Sequence, residues 1–79
     1  MKINITYFAV LQDERGLSSE SLETGASSPA ELYRELKEAH GFSLTKCRLK
    51  VAVNDEFADW DLKLKENDNV VFIPPVAGG

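Results

Sequence analysis

The sequence has little of the chemistry that small enzymes and metal proteins use, because its 79 residues include one cysteine and one histidine. Cys47 cannot form an internal disulfide and has no second cysteine at metal-binding or redox spacing. It also lacks a neighbouring histidine to activate it as a sulfur-carrying thiol, so we expect a small, partly buried apolar residue. His40 falls near an expected helix end, where a cation is mildly favoured, and is not predicted to be a ligand or base.

Long apolar runs and clusters of basic residues are also missing. The run YFAVL at 7–11 is far too short for a membrane span, and the first residues lack the apolar segment of a signal peptide. The net charge is -4 and no basic cluster occurs, which argues against binding to the phosphates of nucleic acid. We therefore expect a cytoplasmic protein that binds neither membranes nor nucleic acid.

A chain of 79 residues has room for one domain with one core. A domain of this size buries only about 60% of the surface that its unfolded chain exposes. Small-molecule pockets need ~300–1,000 Å³ lined by converging side chains, which leaves little space for one here. The size therefore favours a protein that acts with a partner over a self-contained enzyme.

Alternating apolar and polar residues predict strands at 2–7 (KINITY) and 48–54 (RLKVAVN), with a weaker strand at 19–24 (SESLET). Phe8 breaks the alternation of the first strand, because it is apolar but lies at a position predicted to face solvent. The segment VVFI at 70–73 is apolar on both faces, which is typical of a central strand or of one that covers a binding surface.

The connecting segments carry turn signals. QDERGLS at 12–18 is predicted to be a polar turn, and Asn54-Asp55 is predicted to be a tight turn that leads into a short return strand, EFADW. Leu62 and Leu64 are expected to point inward before the chain turns again. A hairpin connects the first two strands most simply.

The segment SSPAELYRELKEAHG carries the clearest helix signal. Ser28 is a good N-cap, Pro29 suits the first helical position, Glu31 completes an S-x-x-E capping box, and Gly41 provides the stop. One stripe at helical spacing is expected to face the core: Leu32, Tyr33, Leu36, Ala39 and His40.

The predicted order of elements is strand, strand, helix, strand, strand, strand. This order favours an α+β fold, a mixed sheet of about five strands with one main helix packed on one face. We predict a domain over residues 1–73 and an extended, flexible tail over 74–79.

The predicted tail has a stiff start and very small side chains at its end. Pro74-Pro75 must end the hydrogen-bond ladder of the last strand and favour a stiff, extended exit. Val76 and Ala77 are small, and Gly78-Gly79 has no Cβ, so the tip can enter a narrow channel. The functional group at the tip is a carboxylate, which becomes a good electrophile only after activation, for example adenylation by ATP.

Three segments carry a family resemblance: VVFIPPVAGG, ITYFAVLQDERG and VAVNDEFADW. Together they resemble the small subunit of molybdopterin synthase, the MoaD family of the ubiquitin-like β-grasp superfamily, over essentially the whole chain. The family usually has Gly-Asp in the turn before the last strand, whereas this chain has Asn67-Asp68. Asn is the next-best residue for a left-handed turn, so the departure matters little.

The resemblance implies a function as an enzyme subunit. An adenylating enzyme of the ubiquitin-activating (MoeB) type would use ATP on the Gly79 carboxylate, and sulfur transfer would then give a C-terminal thiocarboxylate. The tail, including Gly78, would enter the large (MoaE-type) subunit and donate sulfur to cyclic pyranopterin monophosphate, forming the molybdopterin dithiolene. The family's synthase is a heterotetramer with its catalytic pocket on the large subunit, and this chain would bind no cofactor or metal.

The resemblance also suggests a role for the apolar residues that do not fit the core. We expect Phe8, Phe57 and Ile73 to form an exposed patch that docks the activating enzyme or the large subunit. The tail residues Pro74, Pro75, Val76 and Ala77 are expected to contact the same partners.

Three alternatives remain open at this point. A Gly-Gly end also suits a sulfur carrier for another pathway, such as thiamine synthesis. It suits a ubiquitin-like modifier whose Gly79 is joined to lysines of target proteins. A plain β-grasp binding module would work through its sheet surface and would not need Gly78-Gly79.

Overall fold

The computed structural model describes residues 1–75, which form one mixed sheet and two helices. The elements are β1 (Lys2–Tyr7), α1 (Val10–Arg15), β2 (Ser19–Glu23), α2 (Pro29–His40), a 3₁₀ turn (Lys46–Arg48), β3 (Lys50–Val53), β4 (Glu56–Ala58) and β5 (Asn69–Ile73). The strand order is β2-β1-β5-β3-β4. β1 and β5 are parallel, and the other neighbours are antiparallel. The prediction of an α+β fold with a five-stranded mixed sheet is confirmed.

The core lies between the sheet and α2. Alternate residues of β1, β3 and β5 point to one face, and those of β5, Val70 and Phe72, are completely buried. Leu32, Tyr33 and Leu36 of α2 belong to the same core cluster. The predicted two-layer packing is therefore correct, and β5 is the central strand.

The ends of α2 follow the sequence signals, with one difference. Ser28 Oγ accepts a hydrogen bond from the Glu31 amide at 3.3 Å, and Gly41 has a left-handed φ of 70°. The Glu31 carboxylate, however, binds Ser27 rather than Ser28, taking both its amide and its hydroxyl at 2.8 and 3.0 Å. The capping box is thus half formed, since the Glu31 side chain does not return to the amide of Ser28.

The polar turn predicted at 12–18 is wrong, because residues 10–15 form helix α1. Leu11 anchors this helix and is fully buried. Gly16 ends it with a left-handed φ of 81°. A helix of six residues shows less than two full turns of apolar spacing, so the periodicity that revealed α2 had no counterpart here.

Three side chains expected inside are exposed. Ala39 is exposed because Phe42, which follows the helix, continues the apolar stripe and packs its ring 5.9 Å from that of Tyr33. Leu62 is 40% exposed in a turn closed by its amide and the Asp59 carbonyl, whereas Leu64 is buried as predicted. Cys47 lies exposed on the 3₁₀ turn, outside the ladder that buries Leu49.

The turns before and after the return strand match their sequence signals. Asn54, Asp55 and Asn67 all adopt positive φ, with values of 53°, 71° and 67°. The replacement of Gly by Asn67 before β5 is therefore tolerated, as expected.

Helices long enough to cross a membrane are not found in residues 1–75. The longest helix, α2, has 12 residues and carries charged side chains through most of its length. The predicted division into a domain at 1–73 and a tail at 74–79 remains a prediction, since residues 76–79 lie outside the described part.

Candidate functional site

The sheet presents its second face away from α2, and that face divides into a polar and an apolar half. Residues paired directly across antiparallel strands point to the same face. Ala52 pairs with Phe57 on one side and with Val71 on the other, and Lys50 pairs with Ile73. The half of the face formed by β5, β3 and β4 is therefore largely apolar. The half formed by β1 and β2 carries polar residues: Asn4, Thr6, Ser19 and Ser21.

The apolar half and Phe8 form what we call the outer patch: Phe8, Ala52, Phe57, Val71 and Ile73. These side chains line one shallow depression together with Asp55. Phe57 is 75% exposed and Phe8 49% exposed. The structure thus brings Phe8, Phe57 and Ile73 together on one surface. Their role in binding a partner remains a prediction.

Phe8 is displayed on this surface by the corner between β1 and α1. Ala9 has φ 53° and ψ -126°, a conformation that costs a non-glycine residue on the order of 1–3 kcal/mol. The Phe8 carbonyl accepts a hydrogen bond from the Leu11 amide at 3.1 Å, which closes the corner. The chain can therefore bury Tyr7 and Leu11 while turning Phe8 outward between them.

A hydrogen-bonded ion pair fixes α1 against β2 beside this corner. Arg15 Nε and Nη2 donate to the two carboxylate oxygens of Glu20, each at 2.8 Å, and the Tyr7 hydroxyl donates to Glu20 Oε2 at 2.6 Å. Arg15 holds the pKa of Glu20 below its ordinary value. Burial, followed by the contact with Glu20, raises the pKa of Tyr7. Glu20 is therefore charged and Tyr7 neutral at pH 7.

Two grooves flank the point at which the chain leaves β5. Of the two tail residues that the structure describes, Pro74 is buried against the domain and Pro75 is exposed. An apolar groove of about 500 Å³ runs between Phe8–Val10, Leu44 and 73–75. A second groove, of about 330 Å³, lies on the other side and is lined by Cys47, Arg48 and Lys50.

The wall of the apolar groove is held in place by Tyr33. The Tyr33 hydroxyl donates a hydrogen bond to the Leu44 carbonyl at 2.6 Å. Burial, with a smaller contribution from the charge of Glu14, raises the pKa of Tyr33 to about 12. The hydroxyl therefore keeps its proton and the hydrogen bond over the whole physiological pH range.

Metal-binding clusters of three or more His, Cys, Asp or Glu side chains do not occur within residues 1–75. His40 lies at the end of α2, with its ring 5.8 Å from that of Phe42. The described part of the chain thus offers surfaces and grooves around the base of the tail.

The sequence located part of this site. The predicted residues Phe8, Phe57, Ile73, Pro74 and Pro75 all line the patch or the two grooves. The predicted tail residues Val76, Ala77, Gly78 and Gly79 lie outside the described residues. Ala52, Val10 and Leu44 were missed, because their positions depend on strand register, on the turn at Ala9 and on the hydrogen bond from Tyr33 to Leu44, respectively.

The five-stranded mixed sheet, with a central C-terminal strand and one long helix across one face, is a ubiquitin-like β-grasp domain. The family model described as the ThiS family matches residues 5–79, which is nearly the whole chain. The chain therefore belongs to the ThiS family.

A curated relative supports this assignment, and two solved structures resemble the chain in fold. The molybdopterin synthase sulfur carrier subunit of Haemophilus influenzae is 31% identical over 81 residues, covering 98% of this chain and 99% of that protein. The resemblance to the small subunit of molybdopterin synthase is thus confirmed.

The first structure is a complex of subunits 1 and 2 of molybdopterin-converting factor from Helicobacter pylori, 25% identical with a TM-score of 0.71 and 100% coverage of both chains. The second is SAMP1 from Haloferax volcanii, with a TM-score of 0.80, 21% identity and 100% coverage of both chains. At that identity, SAMP1 supports the β-grasp fold alone.

Proposed function

We propose that this chain is a sulfur carrier and the small subunit of a molybdopterin synthase. One observation carries the proposal. The tail sequence PPVAGG follows a central strand that ends between the outer patch and two grooves, in a chain 31% identical to a molybdopterin synthase sulfur carrier subunit over 98% of its length. In this proposal the docking surface binds the partner protein, and the adjacent tail enters that partner's active site.

The reacting group in this proposal is the carboxylate of Gly79. A carboxylate resists nucleophilic attack because its oxygen is a poor leaving group. Attack of the carboxylate on the α-phosphate of ATP gives an acyl-adenylate and releases pyrophosphate. Hydrosulfide can then displace AMP and lose its proton, which leaves a thiocarboxylate at Gly79. With a persulfide donor the first product is an acyl disulfide, and a second thiol must attack its S–S bond to release the same thiocarboxylate and leave a disulfide on the donor.

The second half of the reaction takes place on a partner. The thiocarboxylate sulfur bonds to a carbon of cyclic pyranopterin monophosphate, and water then cleaves the acyl–sulfur bond, which leaves the sulfur on the pterin and returns the Gly79 carboxylate. Two such deliveries build the dithiolene of molybdopterin. The pocket that holds the pterin belongs to the large subunit, which fits a chain whose described residues form a small domain with open surfaces. The complex of subunits 1 and 2 from H. pylori supports a large subunit as the partner.

Two proteins would bind the outer patch in turn. The adenylating enzyme and the large subunit both have to enclose the tail, and the patch lies at its base. An apolar surface of this kind, rimmed by charged residues, is typical of a protein–protein contact. We infer that it docks both partners, and that binding to one excludes the other.

Reconstitution of the synthase tests this function. The chain, loaded as its thiocarboxylate, is mixed with the large subunit and cyclic pyranopterin monophosphate, and formation of molybdopterin is measured. We expect product in proportion to loaded carrier, and none when Gly79 is deleted. A large subunit that is active with another carrier but makes no product with this loaded chain would rule out the proposal.

A further inference from the structure

The base of the tail carries positive charge on a protein that is acidic overall. The chain has 13 acidic and nine basic residues, for a net charge of -4. Yet Arg48 and Lys50 line the second groove together with residues 73–75, and no carboxylate lines that groove among the described residues. Both side chains are exposed, and neither forms an ion pair within residues 1–75.

The cations are joined to the outer patch. Lys50 pairs with Ile73 across β3 and β5, and its Nζ lies 5.8 Å from the centre of the Phe57 ring. The opposite end of the patch, at the turn between β3 and β4, is bounded by Asp55. Along β3 the two ends are separated by at least three residue steps, or about 10 Å. The patch therefore has a positive end at the tail and a negative end away from it.

We propose that Arg48 and Lys50 form a cationic guide that orients the large subunit on this chain. This inference rests on the proposed function, which supplies the partner. The large subunit would then present an apolar surface to the patch and carboxylates beside the opening that admits the tail. Charge pairing at the rim of an interface sets its register and raises the association rate more than it adds binding energy. The guide would thus align the tail with its channel before the apolar contact closes.

The test compares two charge-reversed double variants that carry the same net charge. Arg48→Glu/Lys50→Glu reverses the guide. Lys63→Glu/Lys65→Glu is the control, because both lysines line a separate groove beside β4 with Glu56 and Asp68. Urea unfolding of each variant verifies the fold, and Arg48→Gln/Lys50→Gln serves as a milder version of the first change.

Association and dissociation rates with the large subunit are measured by stopped flow at low and at physiological ionic strength. We expect the guide variant to associate at least about tenfold more slowly at low ionic strength, with the deficit shrinking as salt screens the charges. The control should change by less than about threefold, since net charge alone steers weakly at a distance from the interface. Dissociation should change little in either variant.

Equal association rates for the two double variants would overturn the inference while leaving the proposed function intact. Faster association of the guide variant would also overturn it, because the partner's opening would then be basic. If the guide variant slowed only binding to the adenylating enzyme, or only self-association seen by sedimentation, the cations would belong to that contact instead. Failure of the wild-type chain to form any complex would overturn the proposed function itself.

Discussion

At the scale of single residues, Ala9 has a backbone conformation that an L side chain rarely adopts. Its φ of 53° and ψ of -126° lie in a region that glycine reaches without strain. The residue turns the chain so that Phe8 faces outward and Leu11 faces the core. The corner thus holds strain at the edge of the proposed docking surface, where strained residues often occur.

Replacing Ala9 by glycine should stabilise the domain. Relief of strain is worth on the order of 1–3 kcal/mol, and the greater freedom of glycine in the unfolded chain removes about 0.4–1 kcal/mol of it. We therefore expect Ala9→Gly to raise the free energy of unfolding by about 1 kcal/mol, measured by urea denaturation. The matched control is Ala39→Gly, on the exposed face of α2, which should lower it by about 1 kcal/mol. A loss of stability in both variants would contradict this account of Ala9.

At the scale of elements, the ion pair between Arg15 and Glu20 connects α1 to β2. Arg15 lowers the pKa of Glu20, so the folded state favours the charged carboxylate more than the unfolded chain does. The stabilisation is complete above the pKa of an unfolded Glu, about 4.3, and is lost as the pH falls through the lower folded value.

We therefore expect Glu20→Gln to lower the urea midpoint at pH 7 and to lower it less at pH 3, which lies below the pKa of an unfolded Glu. The matched control is Glu38→Gln, an exposed carboxylate on α2, which should leave the midpoint nearly unchanged at both pH values. A destabilisation by Glu20→Gln that is equal at pH 7 and pH 3 would show that the charge of Glu20 contributes nothing.

The main helix and the strands were predictable from the sequence, whereas the short helix α1 was not. α2 carries a cap, an apolar stripe and a glycine stop over 12 residues, and each of these signals reinforces the others. β1 and β3 alternate clearly because one of their faces is buried, and β5 was recognisable as a run that is apolar on both faces. α1 could not be predicted, because its one buried side chain, Leu11, sets no periodicity. Its position is decided by tertiary contacts such as the Arg15–Glu20 pair.

Residues of the candidate site likewise fall into those that a sequence pattern reveals and those that only the fold brings together. Phe8 was recognisable because it broke the alternation of its strand, and Ile73 because it lies on the second apolar face of the last strand. Ala52 is too small to attract notice, and it joins the patch only through its pairing with Phe57 and Val71. The cations at the tail base lie more than 20 residues before it in sequence, so only the fold brings them together.

At the level of the whole molecule, one face of the sheet is buried and the other is exposed. One face packs against α2 and stabilises the domain, while the other presents the outer patch beside the tail. Most side chains of the patch can therefore be truncated with little effect on the core. Phe57, which is 75% exposed, is the clearest case.

Phe57→Ala should weaken binding to the large subunit without weakening the fold. An aromatic anchor at the centre of an interface contributes at least about 2 kcal/mol, which corresponds to about a 30-fold rise in Kd. Titration calorimetry measures the affinity, and urea denaturation should show nearly unchanged stability. Leu62→Ala, an exposed apolar residue outside the patch, is the matched control and should keep the wild-type Kd. An unchanged Kd for Phe57→Ala would remove the patch from the docking surface.

The proposal that the Gly79 carboxylate carries sulfur can be tested by the intact mass of the protein. The protein is incubated with magnesium ATP, its adenylating enzyme and a sulfur source, and its intact mass is then measured by mass spectrometry. We expect a mass gain equal to the replacement of one oxygen by one sulfur, and no gain when Gly79 is deleted. No gain on the full chain, with an adenylating enzyme that is competent on another carrier, would contradict it.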